Sequence, residues 1–201
     1  MKNRFVLASK SPRRSEMLTK LGFDLEVVPS EVEENPQPGE TPREHVIRLA
    51  EAKALDISSR YPDRWIIAAD TIVLINGSIL GKPRNEEDAF EMLRLLSGQE
   101  HTVVTGFSVR HFGRETGEHQ AVETAVKVRP LLPAEMRWYV STGEPFDKAG
   151  GYAVQGIGSF MIESIRGSYT NVVGLPLCEL VQMLSRLGAI TISECGFEIS
   201  E

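Results

Sequence analysis

Two arginines at the start of a predicted helix are the first residues whose placement suggests chemistry. Arg13 and Arg14 directly follow Ser11 and Pro12, which suit the cap and the first position of a helix. A helix start carries a partial positive charge and unpaired N–H groups, so two cations there are unfavourable unless an anion binds. With Ser9, this segment predicts a phosphate-binding turn. The alternative is that both arginines are solvated.

An acidic residue interrupts the most apolar stretch of the chain. Asp70 lies between the predicted strand segments 65–69 and 72–75. A carboxylate in such surroundings needs a metal ion, a cationic partner or a raised pKa. At a strand end, an aspartate can bind a hard cation such as Mg²⁺ and can position or deprotonate water. The sequence favours this functional interpretation over a turn-forming aspartate, which remains the alternative.

Two lysines are candidates for contacting an anionic ligand. Lys53 falls on the apolar stripe of a predicted helix, where a buried ammonium is costly unless it meets a negative partner. Its stem could instead run along the apolar surface and carry the charge to solvent. Lys82, between Gly81 and Pro83, could contact phosphate or be an ordinary turn lysine. The apolar members of the stripe follow helical spacing: Val46, Leu49, Ala50 and Ile57.

Two loops have compositions that suggest binding. The segment 32–40 is acidic and contains proline, and Glu33 or a neighbouring glutamate could be a second metal ligand, although solvation is the usual fate of such a run. The segment 147–158 contains four glycines, which permit a ligand to approach the backbone closely. Gln155 in this loop can both donate and accept hydrogen bonds, so it can read a base edge. Glycine loops also serve as plain turns.

The elements that must position these residues alternate between strands and helices. A capping box, with Thr41 as cap and Glu44 three residues later, predicts a helix that runs to about Arg60. Asn76-Gly77 indicates a hairpin turn, and two long strands at about 101–112 and 119–128 indicate another hairpin. The pattern predicts an α/β fold with a mixed sheet. The other expected elements are strands at 5–8, 25–28 and 160–163, and helices after Pro12 and Asn85, at 133–140 and at 175–187.

Composition narrows the functional class. The chain has 201 residues, 41% of them hydrophobic, and a formal net charge of −6. A single domain is expected from this length, and an acidic chain is a poor non-specific nucleic-acid binder. The apolar run at the N-terminus is too short for a signal peptide, and no run reaches the ~18 apolar residues of a membrane span. We therefore expect a cytoplasmic protein with neither a nucleic-acid nor a membrane partner. A P-loop motif is absent from the sequence.

The motifs, taken together and in order, resemble the Maf family of nucleotide pyrophosphatases, which are relatives of the inosine triphosphatase-like fold. The resemblance extends over nearly the whole chain, and the combination is specific although no single piece is. The matching segments are Leu7–Arg14, Ala69–Val73, Gly81–Pro83, Thr105-Gly106, Asp147–Tyr152, Gln155-Gly156, Gly167–Tyr169 and Val173–Pro176.

The resemblance implies a fold, a reaction and a set of roles. The chain would be one Maf-like domain over residues 1–201, with two lobes, a strongly twisted mixed sheet flanked by helices, and a central cleft. The family implies hydrolysis between the α- and β-phosphates of a nucleoside triphosphate, a divalent cation (Mg²⁺ or Mn²⁺) and a homodimer. Asp70 would be the proton acceptor and, with Glu33, a metal ligand. The residues expected to hold the triphosphate are Ser9, Ser11, Arg13, Arg14, Lys53 and Lys82.

Within the family, this chain looks like the branch that acts on dTTP and UTP. Arg13, Thr71 and Gln155 match that branch at its selectivity positions, whereas a sister branch acting on 7-methyl-GTP carries other residues there. Two alternatives remain open at the level of sequence. One is the same chemistry on 7-methyl-GTP or another modified nucleotide. The other is a non-catalytic nucleotide-binding regulator of septum formation, which would need the phosphate site but neither Asp70 nor a metal.

Overall fold

The computed structural model describes residues 5–193 and 196–199. The described chain alternates strands and helices, as the sequence predicts, and forms an α/β fold. In chain order the elements are β1 (Phe5–Leu7), α1 (Pro12–Lys20), β2 (Leu25–Val27), α2 (Pro42–Ser58), β3 (Trp65–Ile75), β4 (Ser78–Leu80), α3 (Glu86–Leu96), β5 (Glu100–His111), β6 (Thr116–Val128), α4 (Pro133–Ser141), β7 (Ile162–Arg166), α5 (Tyr169–Val173), α6 (Leu177–Arg186), β8 (Ile190–Ser193) and β9 (Gly196–Ile199).

Seven strands form one mixed sheet in the order β2-β1-β3-β5-β6-β7, with β4 paired to β3. Strand β1 runs parallel to β2 and β3, whereas β4 is antiparallel to β3 and β7 is antiparallel to β6. Strands β8 and β9 form a separate antiparallel pair. The expected mixed sheet is therefore confirmed.

The chain divides into two compact units. The first contains the described residues up to Asp70, Thr105–Ala121 and the described residues from Gly174 onward, and the second contains Thr71–Val104 and Val122–Val173. Strands β3, β5 and β6 each contribute residues to both units. One apolar cluster of the first unit includes residues of α2 and of the strands beside it: Val6, Ala8, Ala54, Ile57, Ile66 and Ala68. An apolar cluster of the second unit gathers around α3 and α4 and includes Leu93, Met136 and Tyr139.

Helix α2 is fixed by local signals that the sequence displays. The Thr41 side chain accepts from the Glu44 amide, and the Glu44 carboxylate accepts from the Thr41 amide, so the capping box is confirmed. Pro42 occupies the first turn, where its missing N–H has no cost. The apolar face of the helix is buried, and Lys53 lies on that face.

Several elements differ from the sequence-based expectation. Residues 65–75 form one uninterrupted strand, so Asp70 lies within a strand and not at its end. The loop 144–158 contains short 3-10 helices, including Glu144–Asp147 and part of Ile157–Met161. Helix α5 and the β8–β9 pair were not predicted. Among residues 5–193 and 196–199, no helix has both the length and the apolar character that a bilayer-spanning helix needs.

Candidate functional site

The turn between β1 and α1 presents the N-terminus of a helix that has no acidic residue in its first turn. Ser11 is the cap residue, but its side chain forms no capping bond to any described residue. The Ser11 amide donates to Ser9 Oγ across 3.3 Å, which closes the turn. A helix start with cations and without acids is a suitable environment for a phosphate group.

Arg14 points into the protein and holds this turn in place. Its Nε donates to the Gly174 carbonyl at 2.7 Å, and its Nη1 donates to Ser9 Oγ at 2.9 Å and to the Ala69 carbonyl at 2.8 Å. Burial lowers the pKa of Arg14, and the nearby charge of Asp70 opposes that shift. The guanidinium therefore joins the turn after β1, strand β3 and the segment before α6. Its predicted contact with phosphate stays a prediction.

Lys53 and Asp70 form a buried ion pair within the first unit. The Lys53 Nζ lies 2.7 Å from Asp70 Oδ1, and their side chains are only 8% and 10% exposed. Removing each of the two charges from water costs several kcal/mol, and their mutual attraction has to offset that cost. A buried ion pair is therefore weak evidence that the fold is stabilised. Of the two interpretations of Lys53 left open by the sequence, the structure supports the one with a negative partner.

Glu34 completes this cluster from the acidic loop. Its Oε1 lies 2.6 Å from Lys53 Nζ, while its side chain remains 50% exposed. Two carboxylates thus share one ammonium group. Glu33, the predicted metal ligand, is exposed and accepts a hydrogen bond from Asn35 at 3.2 Å. Glu34 is a candidate functional residue that the sequence did not single out, because three glutamates in one loop cannot be ranked by spacing.

A second ionic cluster anchors the acidic loop to α2. Glu40 accepts from Arg48 Nε at 2.5 Å and contacts His45 Nδ1 at 2.9 Å. The hydrogen bond from Arg48 is the main cause that lowers the pKa of Glu40 to about 2. Arg48 also donates to the Asn35 carbonyl at 3.1 Å, next to Glu34. The path of the loop, and hence the position of Glu34 relative to Lys53, is set by these contacts.

Thr71, Lys82 and Gln155 belong to the second unit. Thr71 follows Asp70 in β3, and Lys82 is exposed just after β4. The Gly150 amide donates to the Gly81 carbonyl at 2.9 Å, so the turn that carries Lys82 contacts the glycine loop, which we define as residues 147–158. Gln155 is exposed in that loop. The ligand contacts predicted for these three residues stay predictions.

A buried histidine contacts the glycine loop through the side chain of Tyr152. His101 Nε2 lies 2.7 Å from the Tyr152 hydroxyl, and His101 Nδ1 is buried without a hydrogen-bond partner among the described residues. Burial lowers the pKa of His101 to about 4, so the neutral imidazole is the form that fits this site.

This histidine makes stability depend on pH. Between about pH 4 and 6.5, His101 is protonated in the unfolded chain but neutral in the folded one. Stability therefore falls as the pH falls, by about 2 kcal/mol at about pH 5. We expect His101→Phe to remove that part of the pH dependence, although loss of the Tyr152 contact destabilises it at every pH. Urea unfolding at about pH 5 and pH 7.5 measures the difference. The exposed His119→Gln variant is the control, and equal pH slopes in wild type and His101→Phe would contradict the assignment.

Comparison with known proteins assigns this sequence to a family. The family model described as Maf-like protein matches residues 4–187. The chain belongs to the Maf family. A Syntrophus aciditrophicus protein named dTTP/UTP pyrophosphatase is 50% identical over 190 residues, which cover 94% of this chain and 93% of that protein. A Geobacter sulfurreducens protein of the same name is 50% identical over 189 residues, covering 94% of this chain and 99% of that protein.

One solved structure with a similar chain path is the Ham1 protein of Staphylococcus aureus. The two chains share 15% sequence identity at a TM-score of 0.48, and the match covers 80% of each. The family membership of this chain rests on the sequence matches above. The part of the chain that the family model matches includes the turn Ser9–Arg14, the strand that carries Asp70, and the glycine loop.

Proposed function

We propose that the protein hydrolyses dTTP and UTP to the nucleoside monophosphate and pyrophosphate. The observation that carries the proposal is the buried Lys53–Asp70 pair, joined by Glu34, in a chain half identical to proteins named for this reaction. Asp70 accepts a proton from the water that attacks the α-phosphorus. The bond from the α-phosphorus to the bridging oxygen breaks, and pyrophosphate leaves with the electron pair.

The carboxylates around Lys53 fit a divalent cation. Asp70 and Glu34 approach a single positive group at 2.7 and 2.6 Å, so their oxygens already converge on a cation. Mg²⁺ is usually held by one or two carboxylates together with substrate phosphates and water, and no cluster of three or more candidate ligand side chains occurs in the described chain. Asp70 and Glu34 would hold Mg²⁺ or Mn²⁺, with Glu33 as the family-based alternative. Such an ion neutralises phosphate charge and lowers the pKa of bound water.

The remaining site residues bind and orient the nucleotide. Ser9, Ser11 and Arg13 would hold phosphate at the start of α1. Arg14 would hold that turn in place through its hydrogen bonds to Ser9 Oγ and to the Ala69 carbonyl. Lys53 orients Asp70, and Lys82 would add positive charge for the leaving pyrophosphate. Thr71 and Gln155 would select the base. Positioning and electrostatic stabilisation supply most of the rate in phosphoryl transfer.

Arg13 offers a test of the phosphate site alone. We expect Arg13→Ala to lower kcat/KM for every accepted nucleotide by about 10- to 100-fold, because a charge-assisted hydrogen bond to phosphate contributes about 1.5–3 kcal/mol. Steady-state kinetics with dTTP and UTP measure the change. Lys20→Ala, an exposed cation at the other end of the same helix, is the control. An unchanged kcat/KM would remove Arg13 from the site.

The proposed reaction is tested by a nucleotide panel scored for monophosphate and pyrophosphate in Mg²⁺ or Mn²⁺. The panel should include dTTP, UTP, 7-methyl-GTP and the common purine triphosphates. Preferred release of pyrophosphate from dTTP and UTP supports the proposal. Preference for 7-methyl-GTP would assign the chain to that chemistry, and binding without products would favour a non-catalytic regulator.

We further propose a cytoplasmic homodimer without nucleic-acid or membrane partners, which sedimentation and cell fractionation can test.

A further inference from the structure

The exposed Gln155 lies in a segment that is tied to the protein on both sides. On one side, the Ala153 amide donates to the Tyr139 hydroxyl at 3.2 Å. On the other side, the Ile157 amide donates to Glu144 Oε2 at 2.9 Å, and the Gly158 amide donates to Glu144 Oε1 at 3.2 Å. The segment 153–158 is therefore held two residues before Gln155 and two residues after it.

The two anchoring groups also contact each other. The Tyr139 hydroxyl donates to Glu144 Oε1 at 3.3 Å. Burial, and then the charge of Glu144, raise the pKa of Tyr139, so its hydroxyl keeps the proton that it donates. We call this pair, the Tyr139 hydroxyl and the Glu144 carboxylate, the loop clasp. In the clasp, each carboxylate oxygen of Glu144 accepts a hydrogen bond from one backbone amide.

The backbone of the clasped segment fits the clasp closely. Gly156 has φ +78° and ψ −148°, a conformation that essentially only glycine adopts. A Cβ on Gly158 would lie 2.7 Å from the Tyr139 hydroxyl and 2.6 Å from the Ala153 carbonyl oxygen. The residues Ile157–Met161 form a 3-10 helix, so Glu144 caps the unsatisfied amides at its start. The contacts specify one conformation for the loop at Gln155.

The position of the clasp in the fold makes it rigid. Tyr139 lies on α4, is fully buried and packs against the Phe160 ring at a centroid distance of 6.3 Å. Glu144 begins the 3-10 segment that follows α4, and its own carbonyl accepts from Lys148 Nζ at 2.6 Å. The glycine loop is thus held by two groups, one on helix α4 and one in the segment that directly follows it.

We infer that Tyr139 and Glu144 are positioning residues that set nucleotide selectivity by holding Gln155 in a base-reading conformation. The inference rests on the proposed function for the role of Gln155. A preorganised amide loses less conformational freedom when it binds a base, so the clasp strengthens binding of the matching base. Neither Tyr139 nor Glu144 needs to touch the nucleotide.

Conservative variants separate this role from general stability. Glu144→Gln keeps the shape of the side chain but replaces one accepting oxygen with an NH₂ group, and Tyr139→Phe keeps the buried ring but removes the hydroxyl. For each variant we expect KM for UTP to rise about 3- to 10-fold with kcat within about twofold, as for the loss of one or two hydrogen bonds. The preference for UTP over purine triphosphates should fall by a similar factor. Exposed residues of the same unit supply the controls Glu163→Gln and Tyr169→Phe.

A double-mutant cycle with Gln155→Ala shows whether the clasp acts through Gln155. If it does, Glu144→Gln should have almost no further effect on UTP selectivity in the Gln155→Ala background. A fully additive loss, or an unchanged preference for UTP over purine triphosphates in both clasp variants, overturns the inference even though the wild type hydrolyses UTP.

Hydrogen exchange tests the clasp without relying on turnover. The Ala153 amide should exchange about 5-fold faster or more in Tyr139→Phe, which removes its acceptor. In Glu144→Gln the same increase is expected for the Ile157 or the Gly158 amide, because one of their two acceptor oxygens is replaced. Unchanged exchange overturns the inference. A wild-type protein that releases no pyrophosphate refutes the proposed function, and the exchange rates together with UTP titration still decide whether the clasp orders Gln155.

Discussion

Asp70→Asn is expected to lower kcat by about 10³-fold while nucleotide binding is retained. Asparagine keeps the size of the side chain and its contact with Lys53, but it cannot accept a proton from water. Loss of a general base typically costs about 10²–10⁴-fold in rate, and loss of an anionic metal ligand adds to that. The measurement is single-turnover pyrophosphate release beside equilibrium binding of UTP, with Kd expected within about threefold of wild type.

The matched control for this variant is Asp63→Asn, which alters an exposed aspartate just before the same strand. It should retain full activity. Thermal unfolding of Asp70→Asn is needed as well, because the change removes one of the two carboxylates around Lys53 and leaves Glu34 in contact with it. A well-folded Asp70→Asn protein with wild-type turnover would refute the role of Asp70 as proton acceptor.

Arg14→Met is expected to destabilise the protein by about 3 kcal/mol, because hydrogen bonds to charged groups contribute about 1.5–3 kcal/mol each and do not add fully. Methionine can fill the space of the stem, but the Ala69 and Gly174 carbonyls and Ser9 Oγ lose the donor that Arg14 provides. For a chain of this size the Tm should fall by about 6–12 °C.

Thermal and urea unfolding of Arg14→Met measure this effect, and Arg60→Met is the control because Arg60 is an exposed residue just after α2. The control should change stability by less than about 0.5 kcal/mol. Arg14→Lys should be intermediate, since an ammonium keeps the charge but cannot reproduce the geometry of the guanidinium. Equal stability of Arg14→Met and wild type would show that the buried contacts of Arg14 are not structural.

Much of the fold could be predicted because its signals are local. The helix that carries Lys53 is specified by the Thr41–Glu44 capping box and by an apolar stripe of helical period. The turn Asn76-Gly77 joins β3 to β4, as its sequence indicates. Helix α5 and the β8–β9 pair escaped prediction because short elements carry few periodic positions, and their formation depends on packing more than on propensity.

The sequence by itself determined which residue types could do chemistry: an acid in the most apolar strand, cations at the start of a helix, a lysine on a buried face and a glutamine in a glycine loop. Each of these contradicts a local rule, and a local rule can be read from neighbours along the chain.

Only the tertiary structure decided which partners these residues meet. It placed Glu34 rather than Glu33 against Lys53, turned Arg14 inward onto two carbonyls, and brought Glu144 to the amides of Ile157 and Gly158. Such contacts join residues that are 13 to 160 positions apart. They depend on the path of the chain through both cores, which is fixed by the packing of many side chains and not by the propensity of any one segment.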